Sequence, residues 1–182
     1  PAIALLERDC VVHRLASDTD FRLRELTAAA TWHVPIDTAG EAAMAERFRV
    51  LNGLGHCAEG PLVVNGREIP ARALGEGVAW FDFEALCEGP RSAADYIEIA
   101  REHHTVLLSR VPVFRDEALD PARRFIHLVD ELYDRNVNLL ATAAAEPRGL
   151  YRGHKLVVEF DRCISRLTEM RSQEYLARAH RP

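Results

Sequence analysis

Residues 123–147 read RRFIHLVDELYDRNVNLLATAAAEP, and the reading of this stretch decides the fold. On a helical wheel Phe125, Ile126, Leu128, Val129, Leu132 and Tyr133 share one face, while Arg123, His127, Asp130, Glu131 and Asp134 share the other. One face meets a core and the other meets water. Asp120 is a suitable N-cap and Pro121 suits the first helical position, where its missing N–H costs nothing, so the spacing predicts a helix from Pro121. Asn136 suits a left-handed helix exit. Residues 137–142 then form a short, largely apolar run of the kind found in a strand covered on both faces. A helix feeding such a strand is half of a βαβ unit.

Just upstream, residues 105–109 (TVLLS) read as a second buried strand, closed off by Val111 and Pro112, and this completes the unit as a parallel pair. Ser92 with Asp95 resembles a capping box for a helix over 93–103, with Ala94, Ile97 and Ala100 as its buried stripe. Asn65-Gly66 between Leu62-Val63-Val64 and Arg67-Glu68-Ile69 predicts a type I′ hairpin, and residues 78–83 are expected to add a third strand to that antiparallel meander. Asp37 or Thr38 can cap a helix from Ala39 to about Leu51, stopped by Asn52-Gly53. Residues 2–8 read as the end of a helix, 10–15 as a strand, and 20–30 as a short helix. At the other end, 156–158 are expected to be extended and 159–171 helical, burying Phe160, Cys163, Ile164, Leu167 and Met170.

The expected fold class is therefore α/β: a partial parallel sheet with a βαβ unit (strands near 10–15, 105–109 and 137–142), a small antiparallel meander over 62–83 and a C-terminal helix. The corresponding segments are 1–15, 61–83, 92–145 and 156–176.

The 182 residues, nearly half of them hydrophobic, suffice for one ordinary core. The net charge of -5 argues against broad binding to nucleic acid or anionic membrane, while leaving room for a local basic patch. Cys10, Cys57, Cys87 and Cys163 are too scattered for a zinc site or a disulfide framework, which points to reduced thiols in a cytosolic compartment. No apolar run in the sequence approaches the length of a membrane helix.

Residues that carry chemistry are few. A phosphate loop needs GxxxxGK[ST]; the nearest approach, residues 149–156 (GLYRGHKL), has the wrong spacing and no hydroxyl after Lys155. His103 and His104 invite a metal hydrolase reading, but adjacent residues diverge and no HExxH or carboxylate partner accompanies them, so no metal site is expected. Asp130, Glu131 and Asp134 read either as acid–base carboxylates or as an ordinary charge-laced surface with Arg123, His127 and Arg135. Asp130 and Asp134 are like charges one turn apart near a helix C-terminus, where the dipole disfavours acids, so a partner arginine is expected. Arg162 and Arg166, one turn apart on the last helix, either clamp a phosphate or are neutralised locally by Glu159 and Glu169.

Several blocks together are familiar: DFRLR at 20–24, FDF at 81–83 with Leu86-Cys87, ADY at 94–96, HTV at 104–106 with Val111-Pro112, RRFI at 123–126 with DELY at 130–133, and SRL at 165–167 with Glu169-Met170 and Tyr175-Leu176. In order and over essentially the whole chain they resemble the ZapE family, bacterial cell-division ATPases of the AAA+ type with mitochondrial relatives. The resemblance implies a C-terminal half, with the Walker motifs, first sensor and arginine-finger region upstream of the point matching Pro1. It implies ATP and Mg²⁺ as cofactors of the intact parent and none for this chain alone, hence no catalytic residue here. By the same resemblance the partners are its own N-terminal ATPase half, a tubulin-like division ring protein and further copies of the parent, with no nucleic acid and no integral membrane segment, in the bacterial cytoplasm. Arg162 and Arg166 become candidate nucleotide-sensing residues, and Arg123, Asp130 and Asp134 a candidate interaction surface. Two departures stand out. Arg110 occupies a position where the family usually has aspartate before Val-Pro, and His103 one where an aromatic or apolar residue precedes His-Thr-Val. The rival reading is a stand-alone adaptor with no enzymatic role.

Overall fold

The computed structural model describes Leu26, residues 30–58 and residues 60–182. The anticipated strand at 10–15, the helix at 2–8 and nearly all of the one at 20–30 lie outside them. The described chain runs β1 (Trp32–His33), α1 (Thr38–Asn52), β2 (Leu62–Val64), β3 (Arg67–Ile69), β4 (Ala73–Leu74), β5 (Val78–Asp82), α2 (Ala93–Glu102), β6 (Thr105–Val111), α3 (Leu119–Asp134), β7 (Asn138–Ala143), α4 (Val157–Glu169) and α5 (Gln173–Leu176). A π-helical turn, Glu84–Glu88, follows β5, and a 3₁₀ turn, Pro147–Gly149, follows β7.

Five strands form one sheet in the order β1-β7-β6-β5-β4. The pairings β1–β7, β7–β6 and β6–β5 are parallel, and the edge strand β4 is antiparallel to β5. The fold class is thus as expected, and β6–α3–β7 is the βαβ unit read from residues 105–142. All six residues of β7 are buried, as a strand covered on both faces requires. Alternation along the strands splits the core in two. Val106 and Leu108 face α2, α3 and α4, together with a cluster of Phe83, Phe114, Phe125 and Phe160, whereas Leu107 and Leu140 face Met44 and Phe48 of α1 along with Leu26 and Leu176. Helices therefore cover both faces.

Several expectations are corrected. The third strand of the meander, β5, instead pairs in parallel with β6 inside the main sheet, leaving β2–β3 as a separate two-stranded hairpin. Its near-continuous burial explains why: Val78, Ala79 and Phe81 have no exposed face to spare. The hairpin turn itself carries positive φ at both Asn65 (50°) and Gly66 (73°), as a type I′ turn demands. Residues 157 and 158 are the first turn of α4 rather than an extended run. α3 starts at Leu119, two residues before Pro121, so Asp120 lies within its first turn and is not the cap. The buried stripe of α2 is Tyr96, Ile99 and Ala100; Ala94 is exposed and Ile97 half-buried. Other boundaries match. Asp37 caps α1 by accepting the Gly40 N–H at 2.7 Å, Gly53 ends it, Ser92 and Asp95 form the capping box, and Asn136 exits α3 at φ 53°.

Candidate functional site at the carboxyl edge of the sheet

Parallel strands of an open α/β sheet present their carboxyl ends to one edge, the usual place for ligands. Here that edge carries a polar constellation. Glu41, in the first turn of α1, accepts the hydroxyls of Thr142 on β7 (2.6 Å) and Ser109 on β6 (3.0 Å) and pairs with the Arg72 guanidinium. Arg72 also holds Asp82, the last residue of β5, through contacts of 2.8 and 2.9 Å, and lies over the Trp80 ring at 5.1 Å. The Trp80 indole N–H donates to Ser109 Oγ at 2.9 Å. Two strands and one helix are thus tied through a single carboxylate, and Arg72 extends the link to β5.

The electrostatics follow from these contacts. Burial opposes the charged form of Glu41, but the hydrogen bonds from Thr142, Arg72 and Ser109 outweigh it and hold the carboxyl below its ordinary range. Burial likewise opposes the Arg72 cation, and Asp82 and Glu41 reverse the balance, so its pKa is raised. Arg110 stands at a register shift between Leu108 and Val111, with φ at 67°, a conformation that costs a non-glycine residue about 1 kcal/mol. Its backbone N–H donates to Thr142 Oγ1 at 2.8 Å, and its guanidinium reaches to within 4.0 Å of Asp82. An acidic group therefore faces Arg110 from the neighbouring strand.

Two shallow clefts flank the constellation. One, of about 450 Å³, is lined by Ile36, Asp37, Thr38, Glu41, Arg72 and Arg110; the other, of about 490 Å³, lies on the Asp82 side with Glu84, Glu88 and Arg91 in its wall. Chemically the edge holds fixed charges of both signs and two hydroxyls whose protons already point at Glu41. Arg72 fills the space between the two carboxylates, the position a cation would otherwise take.

The residues singled out from sequence lie elsewhere. Arg162 and Arg166 both pair with Asp130, Arg162 at 2.6 Å, and Arg166 also approaches Asp134 at 3.6 Å and lies over the Tyr133 ring. The partner arginine expected for Asp130 and Asp134 is thus Arg166. Local neutralisation by Glu159 and Glu169 is not what is found: Glu169 accepts from Tyr133 and Arg178 instead. Arg166 is only 22% exposed on its side chain, while Arg162 is 57% exposed. Arg123 remains on the outer face with Asp120 at 3.6 Å, and Arg135 pairs with Glu131 at 2.5 Å. His103 is buried, its ring nitrogen against the Ile99 carbonyl, whereas His104 contacts Thr105 Oγ1, so the two rings serve different partners. Burial pushes His103 toward its neutral form.

The segment nearest in sequence to a phosphate loop does cradle an anion, and that anion is internal. Asp116 accepts the backbone N–H groups of His154 and Lys155 and the hydroxyl of Tyr151. Gly153 is required there, since a Cβ would lie 2.3 Å from the Asp116 carboxylate.

Fold and edge together define an α/β domain built on a mostly parallel five-stranded sheet. Residues 1–179 match the model of the AFG1-like ATPase family, and the chain belongs to that family. It is 38% identical over 180 residues, 99% of its own length, to the cell division protein ZapE of Escherichia coli K12, of which it spans 48%. A more distant relative is the zebrafish (Danio rerio) lactation elevated protein 1 homolog B, 29% identical over 210 residues, with 96% of this chain and 42% of the relative covered. The chain thus spans less than half the length of these relatives. No solved structure matches it. Among the described residues no helix is long and apolar enough to cross a membrane.

Proposed function

We propose that this chain is the non-hydrolysing half of an ATP-dependent remodelling ATPase that acts at the bacterial division site. The carrying observation is the identity to ZapE across 99% of this chain but only 48% of that protein. In this reading the parent binds ATP with Mg²⁺ through segments outside the 182 residues. The absence of GxxxxGK[ST] from the sequence supports that assignment, as do the two internal carboxylates, Glu41 and Asp116, that already occupy the anion-seeking positions of the fold. The parent works in the cytoplasm, with a tubulin-like ring protein as its target and its own ATPase half, or further copies, as the surfaces it packs against.

Arg162 and Arg166 remain the nucleotide-sensing candidates of this half. Sensing would exchange Asp130 for a phosphate, and Arg162, the more exposed of the two, has the freedom to do so first. Arg123 and Asp134, both exposed, belong to the docking surface, whereas Asp130 is mostly covered beneath Arg162 and Arg166. Steady-state ATP turnover by the purified chain, beside the intact parent, tests the reading. Hydrolysis by the parent alone is the expected result. Magnesium-dependent turnover that follows the 182-residue chain through purification would overturn it.

A further inference from the structure

A second surface is independent of the nucleotide reading. Arg115, Arg148, Arg152 and Lys155 are all exposed, and among the described residues none has an ion pair or a side-chain hydrogen bond. Arg115, Arg152 and Lys155 are brought together by the contacts of Phe114 and Asp116, and Arg148 lies in the 3₁₀ turn just before them in sequence. Phe114 bridges Tyr151 in parallel, with the Arg152 N–H donating to the Phe114 carbonyl at 2.9 Å. Phe114 and Tyr151 both pack on Phe160, so Arg115 and Arg152, one step further along each strand, point the other way, to solvent.

The acids that could neutralise this group are engaged or few. Asp116 is committed to the N–H groups of His154 and Lys155, and Glu146 pairs with Arg171 at 2.9 Å. Glu117 and Glu159 are the exposed acids nearest in sequence. Asp116 keeps its charge, since its donors are neutral, so the four cations outnumber the carboxylates outside ion pairs, Asp116, Glu117 and Glu159, by one.

Directly after Lys155 come Leu156, buried, and then Val157 and Val158, which are 45% and 79% exposed in the first turn of α4. A valine pair standing out from a rim of unpaired cations is the pattern by which peripheral proteins hold an anionic bilayer: the charges draw it to the headgroups and the side chains enter the acyl boundary. The presenting loop is also pre-organised. Tyr151 Oη accepts the Lys155 and Leu156 N–H groups at 3.1 and 2.9 Å while donating to Asp116, so little ordering is left to be done on binding. Single-stranded nucleic acid would call for exposed aromatic rings, and the nearest, Tyr151, is half-buried and stacked on Phe160 at 4.6 Å.

We propose that the 147–158 loop and helix start, with Arg115, form a docking surface for an anionic lipid membrane.

Flotation of the chain with vesicles of phosphatidylcholine, alone or with a minority of phosphatidylglycerol, tests this. Binding is expected only to the anionic vesicles and should weaken as salt rises. Arg152→Glu with Lys155→Glu should lower partitioning by about tenfold or more, and Val157→Ser with Val158→Ser should also lower it, both without changing the circular dichroism spectrum. Independently, Val158→Trp should shift its emission to the blue on anionic vesicles. Equal binding to neutral vesicles, full binding by the valine variant, or no spectral shift would overturn the proposal. So would binding to polyglutamate or a single-stranded oligonucleotide that matches or exceeds binding to vesicles, since it would show an acidic polymer to be the partner.

Discussion

The Glu41 carboxylate accepts the Thr142 hydroxyl at 2.6 Å across 101 residues of chain. This contact joins the helix that covers one face of the sheet to β7, the second strand of the βαβ unit. Glu41→Gln keeps the volume and removes the charge, leaving Arg72 with Asp82 alone. The expected loss is about 2 kcal/mol, the scale of hydrogen bonds to a charged group, and urea unfolding at neutral pH measures it.

The same residue sets a pH dependence. Its folded pKa is depressed below the ordinary 4.5, so the stability it contributes is fully present above that value and is lost as pH falls through the lower, folded value. Wild type and Glu41→Gln should therefore differ most near neutrality and converge in acid. Unfolding midpoints taken across that range test this, and a gap that widens as pH falls would contradict it.

Asp130 and Arg162 separate architecture from surface decoration. Asp130 is 16% exposed on its side chain and holds two arginines, of which Arg166 is mostly covered. Asp130→Ala should cost about 2 kcal/mol by leaving that cation with only the longer Asp134 contact at 3.6 Å, whereas Arg162→Ala should cost less than about 1 kcal/mol. Thermal or urea unfolding of both variants gives the comparison.

Thiol reactivity should sort by burial. Cys87 and Cys163 are buried and burial raises their pKa far above the ordinary range, which keeps them as inert thiols, while Cys57 is exposed. Alkylation of the native chain followed by peptide mass spectrometry should show rapid modification at Cys57. Cys87 and Cys163 should react only in denaturant.

Asp116 anchors the loop it faces. Asp116→Ala should abolish the hydrogen-exchange protection of the His154 amide, whose acceptor it is, lower that of Lys155, which keeps Tyr151 Oη, and leave the amides of β6 and β7 protected. Loss of protection throughout the sheet would show that the aspartate supports the whole domain instead.

The helix–strand stretch at 123–147 was legible because its two periodicities are strong and its burial is complete: α3 and β7 form within two residues of the expected bounds. β5 was misplaced because a short apolar run after an Asn-Gly hairpin reads equally well as a third meander strand or a buried parallel one, and only tertiary pairing decides between them. That misplacement hid the carboxyl-edge constellation. Asp82, Ser109 and Thr142 are recognisable as a group only once β5, β6 and β7 are known to be parallel neighbours with aligned ends. Glu41 and Arg72 lack even that signal, since a glutamate in the first turn of a helix is ordinary and Arg72 sits just before a two-residue edge strand. The Asp130–Arg166 pair was half visible: the strained acids announced a missing cation, but the helix that supplies it could not be chosen from sequence.

In the proposed function the primary nucleotide site and hydrolysis belong to the rest of the parent, and Arg162 and Arg166 only sense a nucleotide bound there. Equilibrium titration of Mg²⁺-ATP into the isolated chain, followed calorimetrically, tests it most directly. No saturable binding is expected at cellular nucleotide concentrations. Saturable binding that is abolished by a substitution at the carboxyl edge, such as Arg72→Ala or Glu41→Gln in a chain that remains folded, would contradict it.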